Sequence, residues 1–191
     1  YTQQTHTTNV KRVYARERGQ SFPETDGMIT DVPGICLVTS YADCVPLYFV
    51  DPVKKVIGLS HSGWRGTVGK IGKVTVEKME EEFGCDPADI LGAVGPSICQ
   101  DCYEVSEDVI KKFRENYDEN LWPEIFYQKE NGKYQLNLWK ANESVFLESG
   151  ILPEHIAVTN VCTHCNPDIL FSHRTTGNER GTLSAFLALK K

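Results

Sequence analysis

The stretch VIGLSHSGWRG, residues 56–66, decides how this chain folds around its most reactive side chains. It begins with a continuous apolar run, which is typical of a buried strand, and that run ends at His61. Gly63 and Gly66 then permit a sharp turn into the next segment. Residues 66–83 carry apolar side chains at three- and four-residue steps, so we predict a helix from 66 to 83. The stretch therefore places a histidine at the end of a buried strand, where functional groups often gather.

A second apolar run, residues 35–38, leads within a few positions to Cys44. The same reasoning predicts further strands at 9–15, 46–50, 55–60, 89–94, 156–161 and 182–189. It also predicts a short helix after Ser106 and a longer helix within 134–149, and it treats 118–131 as an irregular insertion. Strands and helices alternate irregularly, and several strands are adjacent. We therefore expect an α+β fold in which mixed β-sheets pack together and are flanked by helices.

The composition limits the class of protein. A chain of 191 residues, 40% of them hydrophobic, is long enough for one well-packed core, so we expect a single compact domain over residues 1–191. The formal charge of −6 indicates no nucleic-acid surface, and no apolar stretch reaches the roughly 20 residues that cross a bilayer. Seven cysteines without a secretory signal indicate reduced thiols in the cytoplasm. Because the chain begins with Tyr1 rather than Met, we expect a preceding segment.

Cys44 and His61 form the strongest candidate site. A thiolate and an imidazole at neighbouring strand ends make either a nucleophile with its base or two ligands of a metal ion. A zinc site needs a third protein ligand, and His6 in a polar segment is the available residue. The residues alone leave another interpretation open, in which Cys44 is a buried structural thiol beside an unrelated histidine.

Two C-x-x-C pairs, Cys99 with Cys102 and Cys162 with Cys165, form a second candidate. Such pairs are a signature of structural zinc sites, in which four thiolates surround the ion. Here the pairs are roughly 60 residues apart, against about 15–20 in the common spacing. We therefore favour unpaired thiols over a four-cysteine zinc site, and disulfides are the weaker interpretation for a protein of a reducing compartment.

Cationic residues near glycine-rich loops form the third candidate. Arg65 follows the turn at Gly63, and His173, Arg174 and Arg180 lie in a polar loop. Arginine side chains suit phosphate or ribose oxygens, although solvated surface charge explains each of them equally well. The chain contains neither G-x-x-x-x-G-K-[ST] nor G-x-G-x-x-G, so no nucleoside triphosphate or dinucleotide site is indicated.

A set of motifs between residues 4 and 189 resembles one known family. The motifs are Gln4-Thr5-His6, Asp26-Gly27, Thr39-Ser40-Tyr41-Ala42-Asp43-Cys44-Val45-Pro46, His61-Ser62-Gly63-Trp64-Arg65-Gly66, Gly95-Pro96-Ser97-Ile98, Cys102-Tyr103-Glu104-Val105 and Phe171-Ser172-His173-Arg174. Together, H-x-G-W-R-G and A-D-C-x-P are highly specific. The chain thus resembles the laccase-domain family, once described as multicopper polyphenol oxidoreductases and now as purine nucleoside phosphorylases. The N-terminal part of the family's domain would precede residue 1.

The resemblance implies a metal site. By position in the motifs, the ligands would be His6, Cys44 and His61, which leaves a fourth position open, as catalytic zinc requires. Five histidines are too few for a multicopper centre, so zinc is preferred to copper as the cofactor. The chain departs from the family pattern at three positions that are not ligands: Thr5, Ser62 and His173.

The resemblance also implies an activity. This is phosphorolysis of adenosine, inosine and methylthioadenosine, together with deamination of adenosine, so purine nucleosides and phosphate are the expected partners. Cys44 and His61 would act through the metal. We expect Arg65 and Arg174 to bind phosphate, and Asp43 to shuttle a proton.

Two alternatives stay open at this point. In the first, the protein is a metal-free cysteine hydrolase that edits peptidoglycan precursors, an activity also linked to the family. Cys44 would then be the nucleophile and His61 its base. In the second, the protein binds purine nucleosides without turning them over.

Overall fold

The computed structural model describes residues 1–190. Within that range the chain forms thirteen β-strands and six α-helices. The strands are β1 (Thr2–Gln3), β2 (Val10–Arg12), β3 (Phe22–Pro23), β4 (Gly27–Thr30), β5 (Cys36–Tyr41), β6 (Val45–Asp51), β7 (Val56–Ser62), β8 (Leu91–Val94), β9 (Glu104–Val105), β10 (Phe126–Gln128), β11 (Tyr134–Leu136), β12 (Ile156–Val158) and β13 (Leu183–Ala188). The helices are α1 (Trp64–Val68), α2 (Ile71–Phe83), α3 (Glu107–Asn116), α4 (Trp122–Ile125), α5 (Leu138–Glu148) and α6 (His173–Thr176).

A six-stranded sheet forms the centre of the molecule, in the order β12-β8-β6-β7-β4-β2. Its two outer pairs, β12 with β8 and β2 with β4, are parallel, and its inner pairs are antiparallel. A separate ribbon pairs β5 with β13, β1 pairs with β3, and β9, β10 and β11 form a three-stranded sheet. The expected α+β fold, with mixed sheets and flanking helices, is thus confirmed.

Strands β4, β6 and β7 of the central sheet are covered on both faces, and alternate residues of these strands point to different layers. Leu47 and Phe49 on β6 belong to a core that they share with residues of α2 and α5. Ile57 and Leu59 on β7 belong to a second core beneath the β5–β13 ribbon. Every residue of β7 is buried, so this strand lies at the centre of three layers: helices, sheet and ribbon. No helix formed by residues 1–190 is long and apolar enough to cross a membrane.

The strand directions bring the candidate residues to one edge of the central sheet. β7 runs antiparallel to both β4 and β6, so the end of β7 lies beside the starts of its two neighbours. In this register, Pro46 of β6 lies opposite His61. His61, Cys44 just before β6 and Asp26 just before β4 therefore emerge at the same edge.

The helix predicted over 66–83 is two helices in the structure, which corrects that prediction. Gly69 and Lys70 separate α1 from α2. Lys70 has a φ of 55°, in the left-handed region that an α-helix does not contain. Gly69 allows a close approach, because a Cβ atom on it would lie 2.6 Å from Thr8 Cγ2. Apolar periodicity continues across the break, so it cannot reveal the break.

The segment from 118 to 149 also differs from the prediction. Residues 134–136 form β11, which pairs with β9 and β10. α5 begins only after Asn137, whose side chain accepts a hydrogen bond from the Lys140 amide at 3.0 Å. Residues 118–131 contain α4 and β10 and are not an irregular insertion. All three residues of β11 are buried, so pairing with distant strands outweighs the local helical pattern.

Candidate metal centre and neighbouring cavities

The three side chains predicted as metal ligands come together in the structure. The donor atoms of His6, Cys44 and His61 all lie within 4.8 Å of one another, and Cys44 Sγ is 3.9 Å from His6 Nε2. The two imidazole rings meet edge to face, with their centroids 5.0 Å apart. His61 is buried and His6 is exposed, so the cluster lies where the core meets solvent. One thiolate and two imidazoles form a donor set that suits zinc with a fourth position open.

Strand structure positions two of these residues. His61 is fixed within β7 by its pairing with Pro46, and Cys44 lies directly before β6. Asp43 brings the chain into β6 with a φ of 83°, a left-handed conformation that residues other than glycine rarely adopt. The position of Cys44 therefore depends on a strained neighbour that the surrounding structure must hold in place.

Gly63 provides the space in which the cluster assembles. A Cβ atom on this residue would lie 2.8 Å from His6 Cδ2 and 3.1 Å from Cys44 Sγ. The first distance is shorter than real Cβ contacts, so any larger side chain would displace the His6 ring. Gly63 therefore allows His6 and Cys44 to approach the backbone closely, in addition to permitting the turn after β7.

Asp26 is a residue to which sequence reasoning gave no functional role. It is fully buried, and one oxygen of its carboxylate accepts hydrogen bonds from His61 Nδ1 at 2.9 Å and from the His6 backbone amide at 3.1 Å. The other oxygen accepts from the amide and the hydroxyl of Thr7, both at 2.8 Å. One carboxylate thus positions both histidines and leaves His61 Nε2 to face a metal. The sequence signal was weak, because an Asp-Gly pair is also typical of a turn.

The electrostatics of the cluster favour negatively charged donors. Burial raises the pKa of the Asp26 carboxyl, but the hydrogen bonds from His61 and Thr7 outweigh it and lower that pKa to about 2. Burial also raises the pKa of the Cys44 thiol, yet its contacts with His6 and His61 lower it to about 6. For His61 burial lowers the pKa, whereas Asp26 and Cys44 raise it to about 9. Without a metal, the cluster therefore holds a thiolate and a carboxylate beside a protonated His61 near neutral pH, and a bound cation would take the place of the proton on His61.

A buried hydrogen-bond network holds the turn that follows His61. Ser62 Oγ lies 2.9 Å from both Thr67 Oγ1 and Asn142 Oδ1, and Asn142 Nδ2 donates to Thr67 Oγ1 at 3.2 Å. Thr67 Oγ1 also lies 3.0 Å from the Gly63 carbonyl oxygen, to which it donates. The network connects β7, α1 and α5, and so it fixes where α1 begins relative to the cluster.

Two cavities of about 300 Å³ each flank the cluster, and both are lined by His6 and Cys44. The first lies between β1 and β5, and its other walls include Thr2, Gln4, Tyr41, Arg180 and Thr182. The second lies toward α1 and α5, and its other walls include Trp64, Arg65, Ile98, Tyr103, Leu138 and His173. Cavities of this size accept small molecules, and the second combines apolar walls with a cation.

Arg65, which the sequence analysis predicts to bind phosphate, lies on the wall of the second cavity. Its guanidinium carbon lies 4.3 Å from the centroid of the Trp64 ring. The arginines that form salt bridges within residues 1–190 are Arg12 and Arg114. The charge of Arg65 is therefore available to an anion that enters the cavity.

Asp43 and Arg174 contact each other, and this contact occupies the carboxylate of Asp43. One carboxylate oxygen accepts from Thr163 Oγ1 at 2.7 Å, and the other accepts from the Arg174 backbone amide at 2.7 Å. The Arg174 guanidinium donates to the Glu104 carbonyl at 3.1 Å and lies 5.3 Å from the centroid of the Tyr103 ring. Asp43 lines the second cavity, but its hydrogen bonds are those of a residue that holds loops together.

The structure also brings together the four cysteines of the C-x-x-C pairs, so the thiols that the sequence analysis favoured as unpaired lie in one cluster. Their Sγ atoms lie within 4.8 Å of one another, although the pairs are far apart in the chain. All seven cysteines of the chain are free thiols. The molecule therefore has two clusters with the composition of a metal site.

The sequence and the fold both match known proteins. The family model for multi-copper polyphenol oxidoreductase laccase matches residues 1–190. Purine nucleoside phosphorylase YlmD of Bacillus subtilis is 35% identical over 199 residues, which cover 100% of this chain and 70% of that protein. Adenosine deaminase RL5 of an unknown prokaryotic organism is 35% identical over 185 residues, covering 93% of this chain and 70% of its own length.

A solved structure has the same fold. The crystal structure of the Bacillus licheniformis hypothetical protein YfiH superimposes with a TM-score of 0.96 at 34% sequence identity, over 100% of this chain and 73% of the other. Because the match covers the whole of this chain, it includes both the central sheet and the β5–β13 ribbon. The chain therefore belongs to the multi-copper polyphenol oxidoreductase laccase family.

Proposed function

We propose that this protein is a zinc-dependent purine nucleoside phosphorylase that acts on adenosine, inosine and methylthioadenosine and also deaminates adenosine. The observation that carries the proposal is the convergence of His6, Cys44 and His61 between two cavities of nucleoside size. Relatives that bear the names purine nucleoside phosphorylase and adenosine deaminase support the reaction class. The seven free thiols favour the cytoplasm as the place of action.

The donor set favours zinc over copper. Two imidazoles and one thiolate match three-ligand catalytic zinc sites, and the Asp26 contact to His61 is the outer hydrogen bond that such histidines usually make. With five histidines in the whole chain, a multicopper centre lacks ligands. Zinc supplies Lewis acidity that polarises a bound oxygen atom.

The second cavity is the proposed nucleoside and phosphate site. Trp64, Ile98, Tyr103 and Leu138 give it apolar walls, against which a purine base can pack. Arg65 supplies the positive charge for phosphate on the same wall. In phosphorolysis a phosphate oxygen bonds to C1′ as the bond from C1′ to the purine nitrogen breaks, so the phosphate and the base must bind side by side. Arg174 is a second candidate for holding phosphate.

We propose that Asp43 transfers the proton, although its carboxylate also holds two loops together. Both of its oxygens already accept hydrogen bonds, from Thr163 and from Arg174. Each oxygen keeps a second lone pair, so Asp43 can accept a proton from a bound substrate that reaches one of these oxygens and then return it. The Asp43→Asn variant tests the role, since loss of the pH dependence of kcat would support proton transfer and an unchanged profile would contradict it.

The test of the main proposal measures metal content and turnover in the same preparation. The purified protein should contain zinc and convert inosine and phosphate to hypoxanthine and ribose 1-phosphate. Cys44→Ala should lose turnover and one equivalent of zinc, whereas Cys36→Ser, on the exposed edge of β5, should keep both. Full turnover and full metal content in Cys44→Ala would refute the proposal. Binding of nucleosides without product would identify a binding module.

One observation favours a second candidate function, a metal-free cysteine hydrolase that edits peptidoglycan precursors. Cys44, His61 and Asp26 form a chain of contacts with the composition of a cysteine nucleophile, its base and an orienting carboxylate. Removing metal with a chelator separates the two candidates. Turnover that survives complete metal removal would support the hydrolase, and turnover that returns only when zinc is added back would exclude it.

A further inference from the structure

We infer a second, structural zinc site that lies outside the candidate active site and holds the loop beside it in place. The site is the four-cysteine cluster, which consists of Cys99, Cys102, Cys162 and Cys165. The existence of this site is independent of the proposed function. Its effect on turnover rests on the proposed function, because the site would act on turnover by positioning Asp43, the residue next to Cys44.

The sulfur positions fit a tetrahedral metal ion. All four Sγ atoms lie within 4.8 Å of one another, and Cys102 Sγ is 3.4 Å from Cys165 Sγ. Zinc bound by four thiolates at about 2.3 Å separates neighbouring sulfurs by about 3.8 Å, so small side-chain rotations close the cluster on an ion. A disulfide has an S–S length of about 2.05 Å, much shorter than the contact observed here.

The backbone around the cluster already has the outer contacts of a thiolate site. The amides of Cys99 and Cys165 both point to Cys162 Sγ, with N to S distances of 3.3 and 3.4 Å. Hydrogen bonds of this kind favour the charged sulfur and orient it toward a metal. A backbone bridge between Ser97 and Cys162 fixes the register of the two segments. Each C-x-x-C turn therefore presents its sulfurs to the other turn.

The cluster also explains how a long loop stays attached. Residues 159–172, between β12 and α6, contain neither strand nor helix, and Ile169 and Phe171 within them are exposed. Connections of this length without regular structure are uncommon in compact domains unless something anchors them. Cys162 and Thr163 are the buried residues at the start of the loop. A bound zinc ion would anchor that loop to the turn at Cys99.

The anchored segments hold Asp43 from two sides. Thr163, which lies inside the second C-x-x-C turn, donates to the Asp43 carboxylate at 2.7 Å. Ile98, directly before the first turn, donates its amide to the Asp43 carbonyl at 3.1 Å. Asp43 has the strained left-handed backbone described above and directly precedes Cys44. The four-cysteine cluster thus positions a candidate active-site thiol without touching substrate.

The first experiment counts zinc in protein purified with a reductant. Cys102→Ser and Cys165→Ser should each contain one zinc per chain less than the wild type, and Cys36→Ser should contain as much as the wild type. Cys44→Ala should retain the zinc of the four-cysteine cluster, which separates this inference from the proposed function. Wild-type zinc content in both Cys102→Ser and Cys165→Ser would overturn it.

A second measurement does not depend on whether those variants fold. Zinc-edge X-ray absorption of Cys44→Ala should show four sulfur neighbours at about 2.3 Å. Nitrogen or oxygen neighbours in place of sulfur would contradict the inference. Mass spectrometry of the denatured wild-type protein, alkylated without reductant, should find all four cysteines of the cluster alkylated, and two disulfides among them would also overturn it.

The positioning role has its own test at Thr163. Thr163→Val keeps the shape of the side chain but removes the hydrogen bond to Asp43, so kcat should fall about 10- to 100-fold while zinc content stays at the wild-type level. Thr163→Ser restores the hydroxyl and should recover most of the rate. A Thr163→Val protein with wild-type kcat would disprove the coupling and leave the zinc site standing.

Discussion

The Asp26 carboxylate lies between two histidines that reach the cluster by different routes. His61 comes from the centre of the sheet, and its ring donates to Asp26 at 2.9 Å. His6 comes from a loop, where its φ of 61° is left-handed and its amide donates to the same carboxylate. A buried carboxylate that accepts five hydrogen bonds is difficult to displace, so it holds both histidines at fixed positions.

We expect Asp26→Asn to weaken zinc binding at the candidate centre about 10- to 100-fold, because outer hydrogen-bond partners of ligating histidines contribute that much to metal affinity. The asparagine keeps the size of the side chain but replaces one acceptor oxygen by a donor amide. Competition with a chromophoric chelator measures the change. Asp31→Asn, on a partly exposed carboxylate, is the matched control and should bind zinc as the wild type does. Equal affinity in both variants would exclude the positioning role.

Gly63→Ala should abolish most zinc binding at the same centre. The added methyl group would lie 2.8 Å from His6 Cδ2 and 3.1 Å from Cys44 Sγ, so at least one ligand must move. Gly66→Ala is the control, because its nearest neighbour would be at 3.5 Å, an ordinary contact. Zinc content per chain distinguishes the two variants, and similar zinc content in both would show that Gly63 serves only the turn.

The three candidate ligands could be predicted from the sequence, but the residues that position them could not. His6, Cys44 and His61 are residue types that commonly bind metals, and they lie in recognisable motifs. Spacing and resemblance to the family are therefore enough to select them. Asp26 acts through a contact across 35 positions of the chain, and no local pattern encodes that distance. The clustering of the four cysteines was missed for the same reason, because 63 positions of the chain separate Cys102 from Cys165, whose sulfur atoms lie next to each other.

At the scale of elements, the turn from β7 into α1 depends on side chains of three separate segments. Ser62 ends β7, Thr67 lies in α1 and Asn142 lies in α5, and all three are buried and bonded to one another. A five-residue helix such as α1 has little stability of its own. Its position, and with it that of Arg65, is therefore set by this network.

Asn142→Ala should lower the free energy of unfolding by about 1–3 kcal/mol, because Ser62 and Thr67 would lose a buried partner. Urea denaturation measures the loss. Asn116→Ala removes an amide that is exposed at the end of α3, and its effect should stay within about 0.5 kcal/mol. A larger effect at Asn116 than at Asn142 would contradict the role of the network.

The elements that could be predicted are those whose signal is local. The apolar runs that became β6 and β7 were found because both strands are covered on both faces, which leaves a continuous run. β5 is buried only at alternate residues, and the short apolar run at 35–38 was enough to predict it. The break between α1 and α2 at Lys70 was not found, because a single left-handed residue between two helices leaves the apolar periodicity intact. Residues 134–136 resemble the start of a helix, and their strand exists only because β9 and β10 are available to pair with them.

At the scale of the molecule, the candidate metal centre lies at the edge of the sheet, whereas the largest core extends from that edge into the space between the sheet and the helices α2 and α5. Phe146 of α5 is a central side chain of that core, since its ring centroid is 5.2 Å from that of Phe49 on β6. Cβ atoms on Gly72 and Gly92 would lie 3.2 and 2.9 Å from the same ring. These two glycines therefore allow α2 and β8 to close on Phe146 with little free space. Stability and metal binding should accordingly respond to different substitutions.

Phe146→Ala should lower the free energy of unfolding by about 3–5 kcal/mol, because it removes a fully buried ring and leaves a cavity between helices and sheet. For a domain of this size that loss lowers Tm by about 6–20 °C. Leu147→Ala is the adjacent control, 43% exposed, and should change stability by no more than about 0.5 kcal/mol. Below its lower Tm, Phe146→Ala should bind zinc as the wild type does, because the strand edge that carries His61 and Cys44 is formed by β4, β6 and β7. Loss of zinc in parallel with stability would show that the centre and the core are one cooperative unit.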